Sequence, residues 1–241
     1  MTSYADLKKF DWSPDSLGEP LPVLKPFVKL MDLYNNMSKE SPEERMMRMI
    51  SPLRNVVAQC SLCSLGRNLC TEKGFSFDAH VFSNMCPSKF MIVGQNPGFN
   101  ECMEGMPFVG DAGKFFDLNL QKNGLSRSDF YITNILKCHT VNNEKPTDSY
   151  IESCHPIFQL EVKIIKPVLL VTLGSVSFKA VCPDLKMGDH LGTIVGSDKF
   201  GVKVYPIYHP SPRNMSIIDR REKFEKDVSL LCKLVKKLRG S

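Results

Sequence analysis

Short apolar runs alternate with amphipathic stretches along most of this chain. Phe90–Val93, Phe130–Leu136, Val168–Leu173 and Val202–Tyr208 carry little polar alternation. Runs of that length and composition suit strands buried on both faces. Between and after them, apolar positions recur at helical spacing, predicting helices over Ala112–Asn123, Asp148–Lys166 and Ser175–Val181. Thr147 stands where it can cap the second of these. A last helix carries Phe224, Val228, Leu231, Val235 and Leu238 on one face. Upstream, Ser41-Pro42-Glu43-Glu44 is a helix start. A hydroxyl cap, a proline at the first helical position and a glutamate at the capping-box position occur together. That helix is expected to run through Met46, Met47, Ile50 and Val56 and end near Cys60. The alternation predicts an α/β fold, a three-layer αβα sandwich around a central, mostly parallel four-stranded sheet. Ligands in such folds bind beyond the carboxyl ends of the strands. Residues 1–59 are expected to form an N-terminal helical extension packed on the core, and residues 60–241 the domain that carries the chemistry.

Composition narrows this picture modestly. A chain of 241 residues with 42% hydrophobic content can bury one sizeable core. Its net charge of +5 suits a polyanionic partner, although many ordinary enzymes share such an excess. The first residues lack the apolar core of an export signal, and no apolar run approaches the roughly 20 residues of a membrane span. An intracellular, cytoplasmic protein with no membrane partner is expected. Nine cysteines in a reducing compartment point to metal ligands or buried thiols rather than disulfides.

The cysteine spacing is informative. Cys60-Ser61-Leu62-Cys63 forms a close pair at a helix end. Cys138 ends the predicted strand through Lys137, and Cys154 lies in the following helix after a gap of fifteen residues. Two close cysteines and two later ones can hold one cubane 4Fe-4S cluster through four thiolates. Zinc at the same thiols is the alternative. Cys70, Cys86, Cys102, Cys182 and Cys232 read as buried or surface thiols, with Cys70 and Cys86 the main rivals as ligands. A cluster here would pin the loop Lys137–Thr147 to the N-terminal region.

Several tight loops follow the predicted strands. They are Gly94-Gln95-Asn96-Pro97-Gly98 with Pro107-Phe108-Val109-Gly110, Thr133-Asn134, and His209-Pro210-Ser211-Pro212-Arg213-Asn214. All can gather at one edge of a parallel sheet. Together they resemble the active-site motifs of the uracil-DNA glycosylase superfamily, over roughly Cys60 to Leu238. The four cysteines, Pro107–Gly113 and Tyr131–Asn134 are similar to the iron–sulfur branches. Gly-x-Asn-Pro-Gly and His-Pro-Ser-Pro-Arg-Asn are similar to the single-strand-selective monofunctional branch. The chain combines the two.

The resemblance implies a monofunctional DNA glycosylase of base-excision DNA repair. It would act as a monomer, flip a pyrimidine nucleotide out of DNA and hydrolyse its N-glycosidic bond, leaving an abasic site. It implies a 4Fe-4S cluster on Cys60, Cys63, Cys138 and Cys154. Phe108 offers a flat stacking surface, or is a core phenylalanine. The Asn134 amide has donors and an acceptor suited to the N3–H and O4 edge of uracil, or caps a strand end. Gln95 and Gly98 complete the base pocket. His209 as a neutral imidazole would donate to O2, where negative charge gathers as the base departs. Asn96 replaces the aspartate of the efficient uracil-specific branch. Its amide orients water and takes no proton, so Asn96→Asp is expected to raise uracil excision. Glycine at position 98, where the most uracil-restricted branch has tyrosine, leaves room for a 5-substituted pyrimidine. Arg213 would wedge into the vacated stack or contact phosphate. Ser175, Ser211 and Asn214 would help hold the DNA, and Arg220, Arg221 and Lys223 would steer it. Two alternatives remain: a glycosylase for hypermodified viral pyrimidines in phage defence, and a binder of uracil-containing DNA without turnover. One branch of the superfamily captures DNA covalently through a histidine on an inserted basic loop, but the stretch from His139 to Pro146 has no basic insertion.

Overall fold

The computed structural model describes residues 25–240 apart from 38, 68, 73 and 74; the first part of the N-terminal extension lies outside the described residues. The chain opens with helices α1 (Lys25–Asn36) and α2 (Pro42–Ala58). Strands β1 (Leu69–Glu72) and β2 (Phe75–Asp78) then form a separate antiparallel hairpin. The main sheet and its helices follow as β3 (Phe90–Gly94), α3 (Phe99–Glu104), α4 (Asp111–Lys122), β4 (Tyr131–Asn134), α5 (Asp148–Ile165), β5 (Leu169–Leu173) and α6 (Ser175–Val181). The chain closes with β6 (Val195–Ser197), β7 (Val202–Ile207), the single turn α7 (Pro212–Met215) and α8 (Ile218–Arg239).

The local signals act as expected at the helix starts. Ser41 accepts from the Glu44 N–H while Glu44 accepts from the Ser41 N–H, closing the capping box of α2. Thr147 caps α5 through the Tyr150 N–H. The sheet has five strands in the order β4-β3-β5-β7-β6. Pairings among β3, β4, β5 and β7 are parallel, and β6 runs antiparallel to β7. The sequence reading of four strands missed β6, because three residues reading Val-Gly-Ser carry no apolar run. It also missed the β1–β2 hairpin.

Alternation along β3 builds two cores. Met91 and Val93 enter one with Tyr131, Leu170 and Val204, covered by α1, α2, α5 and α6. Phe90 and Ile92 enter the other with Ile132, Val171 and Ile207, covered by α4 and α8. This is the three-layer sandwich. Phe27, Leu30, Met49 and Leu53 join the first core, so α1 and α2 contribute to the packed interior.

One expected strand is corrected. The run Phe130–Leu136 forms a strand only over Tyr131–Asn134, and Lys137 and Cys138 lie in the loop beyond it. There the backbone changes partner. The Ile135 and Leu136 N–H groups bond Gly94 and Gln95, whereas the Lys137 carbonyl and His139 N–H pair with Val81 and Ala79. The switch turns Lys137 inward. Its Nζ donates to Thr133 Oγ1 and the Asn134 carbonyl, both at 2.6 Å, and pairs with Glu161. The buried Glu161 carboxylate also accepts from Tyr131 at 2.8 Å and Thr133 at 2.9 Å. A charge pair without water is tolerable because both ends are hydrogen-bonded.

Candidate active site and cysteine cluster

A cavity of about 990 Å3 opens beyond the carboxyl ends of β3, β4, β5 and β7. Gln95, Asn96, Gly98, Phe108, Asn134, Ser175, His209, Ser211, Arg213 and Asn214 all line it. The residues expected to serve catalysis, base binding and DNA holding therefore border one hollow, from loops more than 100 positions apart. A smaller hollow of about 590 Å3 between α1, α5 and the β6–β7 turn is lined by Met31, Leu160 and Phe200 and holds none of them.

Phe108 sits at the floor with φ of +56°. A phenylalanine in the left-handed region is strained and persists only when its surroundings over-determine it. Three features do so. Arg127 Nη2 donates to the Pro107 and Phe108 carbonyls at 2.7 and 3.3 Å. Glu101 Oε1 accepts the Val109 and Gly110 N–H groups at 2.9 and 2.8 Å. Gly113 lets the Phe108 carbonyl come where a Cβ would stand 1.9 Å away. The ring reaches over Gly94, whose missing Cβ would lie 2.4 Å from both Phe108 Cζ and Asn134 Oδ1. Glycine at 94 thus lets an aromatic ring and an amide converge on one spot.

The Asn134 residue is 2% exposed, yet its side-chain amide makes no hydrogen bond among the described residues and borders the cavity. Its donors and acceptor are therefore available to a ligand in that cavity. His209 borders the same cavity, with its ring centroid 6.1 Å from that of Phe108. Burial pushes the His209 imidazole down to about 4, against a smaller opposing pull from Glu101. At neutral pH the ring is neutral and keeps one N–H to donate.

Asn96 is held tightly. Its Nδ2 donates to the Pro97 carbonyl at 2.9 Å and reaches Thr140 Oγ1 and Asn143 Oδ1 at 3.3 and 3.4 Å, while Oδ1 accepts from Gln95 at 2.8 Å. The second lone pair of Oδ1 remains for water. Glu101 joins this loop to the Phe108 loop, because its Oε2 accepts the Gly98 N–H at 3.0 Å. Glu101→Ala is expected to release both loops. We expect a loss of about 2–3 kcal/mol in stability and at least tenfold in activity, read by thermal melts and turnover rates.

On the rim, Arg213 is exposed on α7, and Ser175 and Ser211 begin α6 and cap α7. Asn214 is engaged within the protein, donating to the His209 carbonyl and accepting from Arg220, each at 2.9 Å. It supports the His209 loop. Of the cations expected to steer DNA, Arg220 lines the cavity. Arg221 pairs with Glu225, and Lys223 with Asp227. Sequence reasoning missed Glu101 and Arg127, which hold the Phe108 loop, and Asn143 and Lys145, which line the cavity. Only Glu101 carried a signal, its capping-box spacing after Gly98.

The cysteines divide into groups. Cys60 follows the end of α2, Cys138 lies in the loop after β4 and Cys154 lies in α5. Burial first, then Cys154, Cys63 and Cys60, pushes the Cys138 thiol far up. Burial likewise raises Cys154 to about 12, although the nearby Lys137 charge and N–H pull it down. The Lys137 N–H donates to Cys154 Sγ at 3.3 Å. Cys138 and Cys154 are buried, while Cys60 and Cys63 are half-buried. No three of them lie within 4.8 Å of one another. Four thiol sulfurs are the donor set that a cubane iron–sulfur cluster would take through separate irons. The two rivals are elsewhere: Cys86 Sγ donates to the Ser128 carbonyl at 2.9 Å, and Cys70 meets Cys102.

An α/β sandwich with a flat ring, a free amide and a neutral imidazole around one polar cavity defines a protein built to take a planar, hydrogen-bonding ligand. The family model of the uracil DNA glycosylase superfamily matches residues 81–231, and the chain belongs to that superfamily. A Type-4 uracil-DNA glycosylase of Saccharolobus solfataricus is 34% identical over 164 residues, 64% of this chain and 72% of that protein. One of Pyrobaculum aerophilum is 35% identical over 149 residues, covering 58% and 74%. A Type-5 uracil-DNA glycosylase of the same organism is 31% identical over 153 residues, covering 54% and 64%. Among the described residues no helix is long and apolar enough to cross a membrane.

Proposed function

We propose that this protein is a monofunctional DNA glycosylase that excises uracil from DNA. The observation that carries the reading is the meeting of Phe108, Asn134 and His209 in one cavity. The flipped base stacks on Phe108, and Asn134 reads its N3–H and O4 edge. The neutral His209 N–H donates to O2 as the glycosidic bond lengthens and negative charge moves onto the base. Asn96 holds the attacking water by its free Oδ1 lone pair. Arg213, Ser175 and Ser211 face the DNA backbone or the vacated stack. Cys60, Cys63, Cys138 and Cys154 are the residues that would hold a 4Fe-4S cluster, which when bound ties the loop after β4 to the end of α2.

Gly98 favours a wider substrate range. It leaves the cavity wall without a side chain at that point, so a 5-substituted pyrimidine such as 5-hydroxymethyluracil can enter. The glycine also serves the fold, since a Cβ there would lie 2.7 Å from Glu101 Oε2.

The contacts of Asn96 favour a different outcome for Asn96→Asp than the sequence alone suggests. Asp at position 96 would set a carboxylate oxygen against the Pro97 carbonyl and Asn143 Oδ1, where an amide now donates. Asn96→Asp is therefore expected to lower stability by about 1–3 kcal/mol and leave uracil excision no faster than wild type. Rate and melting measurements on the one variant check both.

The functional test is release of base from oligonucleotides containing uracil or 5-hydroxymethyluracil, single- and double-stranded, with protein purified without oxygen. Alkali-labile sites at uracil support the reading, and added cleavage at 5-hydroxymethyluracil supports the open pocket. Stable binding with no abasic site would replace the enzyme by a DNA-capturing protein.

A further inference from the structure

Away from the four thiols, a second set of soft ligands meets. Cys70 Sγ on β1, Cys102 Sγ on α3 and a ring nitrogen of His139 lie within 4.8 Å of one another. Both cysteines are buried and His139 is partly exposed. Among the described residues it is the one trio of such ligand atoms gathered so closely. The three come from separate parts of the chain, so tertiary packing alone has assembled them. His139 is already oriented: its Nδ1 donates to the Pro97 carbonyl at 3.0 Å, and its backbone N–H bonds Ala79 at 3.0 Å. That leaves Nε2 for a ligand bond. A metal-bound histidine commonly gives its other ring N–H to a carbonyl in this way.

We propose that Cys70, Cys102 and His139 form a second metal site, a Cys2His set for a zinc ion, distinct from the four-cysteine set. Two thiolates and an imidazole select zinc over magnesium or calcium, which prefer oxygen. Zinc bonds of about 2.0–2.3 Å place ligand atoms roughly 3.3–3.8 Å apart, so closure needs shifts of about 1 Å. The fourth position goes to water. Binding releases the two thiol protons to solvent. The site has a structural consequence. Cys102 follows Glu101, which clamps the two cavity loops, and His139 holds Pro97, the neighbour of Asn96. Zinc would staple the β1–β2 hairpin to the loops that shape the candidate active site.

The test uses the full chain, produced with iron and zinc supplied, purified without oxygen and desalted. Iron and zinc are counted, and X-ray absorption is recorded at the zinc edge. The expected result is about one zinc per chain with a shell of two sulfurs near 2.3 Å and lighter ligands near 2.0 Å. Cys102→Ser should lose that zinc and keep its iron. If that variant does not fold, His139→Ala should yield zinc faster to a chelator. Trace zinc only in the wild type, a four-sulfur zinc shell, or a Cys70–Cys102 disulfide in the anaerobic protein would each overturn the proposal. None of these readings depends on glycosylase activity.

Discussion

Replacing His209 by alanine is expected to slow base release by a factor of about 10²–10³, the usual cost of losing one donor to a developing anion. In the proposed function, the neutral His209 N–H is the donor to the leaving oxygen. The depressed pKa, about 4 against an ordinary 6.5, makes this donor constant across neutral pH. Single-turnover rates on a uracil oligonucleotide measure the effect, and a loss under threefold would place the electrophile elsewhere. The same depression bears on stability. Between pH 6.5 and about 4 the unfolded chain protonates this imidazole while the folded chain refuses the proton, so the native state loses stability as pH falls through that window. His155, lowered to about 4 by burial and then by Lys199, adds to the slope. His209→Ala should therefore flatten the acid side of the stability profile as it lowers the rate.

Asn134→Ala is expected to reduce excision by on the order of a hundredfold or more, because it removes the hydrogen bonds that read the base edge, at about 1–3 kcal/mol each. The fold should hardly notice. The amide makes no hydrogen bond among the described residues, and its backbone stays anchored through Lys137 Nζ. Lost activity with an unchanged melting temperature is thus the signature of a ligand-reading residue. A drop in both would show a structural asparagine and sink the assigned pocket.

Legibility from sequence followed the range of each interaction. Helix starts at Ser41 and Thr147 were readable because a cap is satisfied within three residues. The buried strands were readable because an apolar run of that length has few other uses. The end of β4 was not, since Ile135 and Leu136 are as apolar as the strand itself. Only partners from β3 and residues 79–84 decide where the ladder stops. Asn214 shows the same limit, because its motif position suggested DNA and its contacts are with His209 and Arg220.

The sequence by itself determined the α/β class, the loops that reach the cavity and the four cysteines proposed for the cluster, because those features are short, local and chemically marked. Tertiary structure alone decided that Glu101 and Arg127 hold Phe108 in a strained conformation, that the Asn134 amide has no hydrogen-bond partner among the described residues, and that Cys70, Cys102 and His139 meet. Each depends on close approach between residues distant in the chain, and such approach is set by packing rather than by any local pattern.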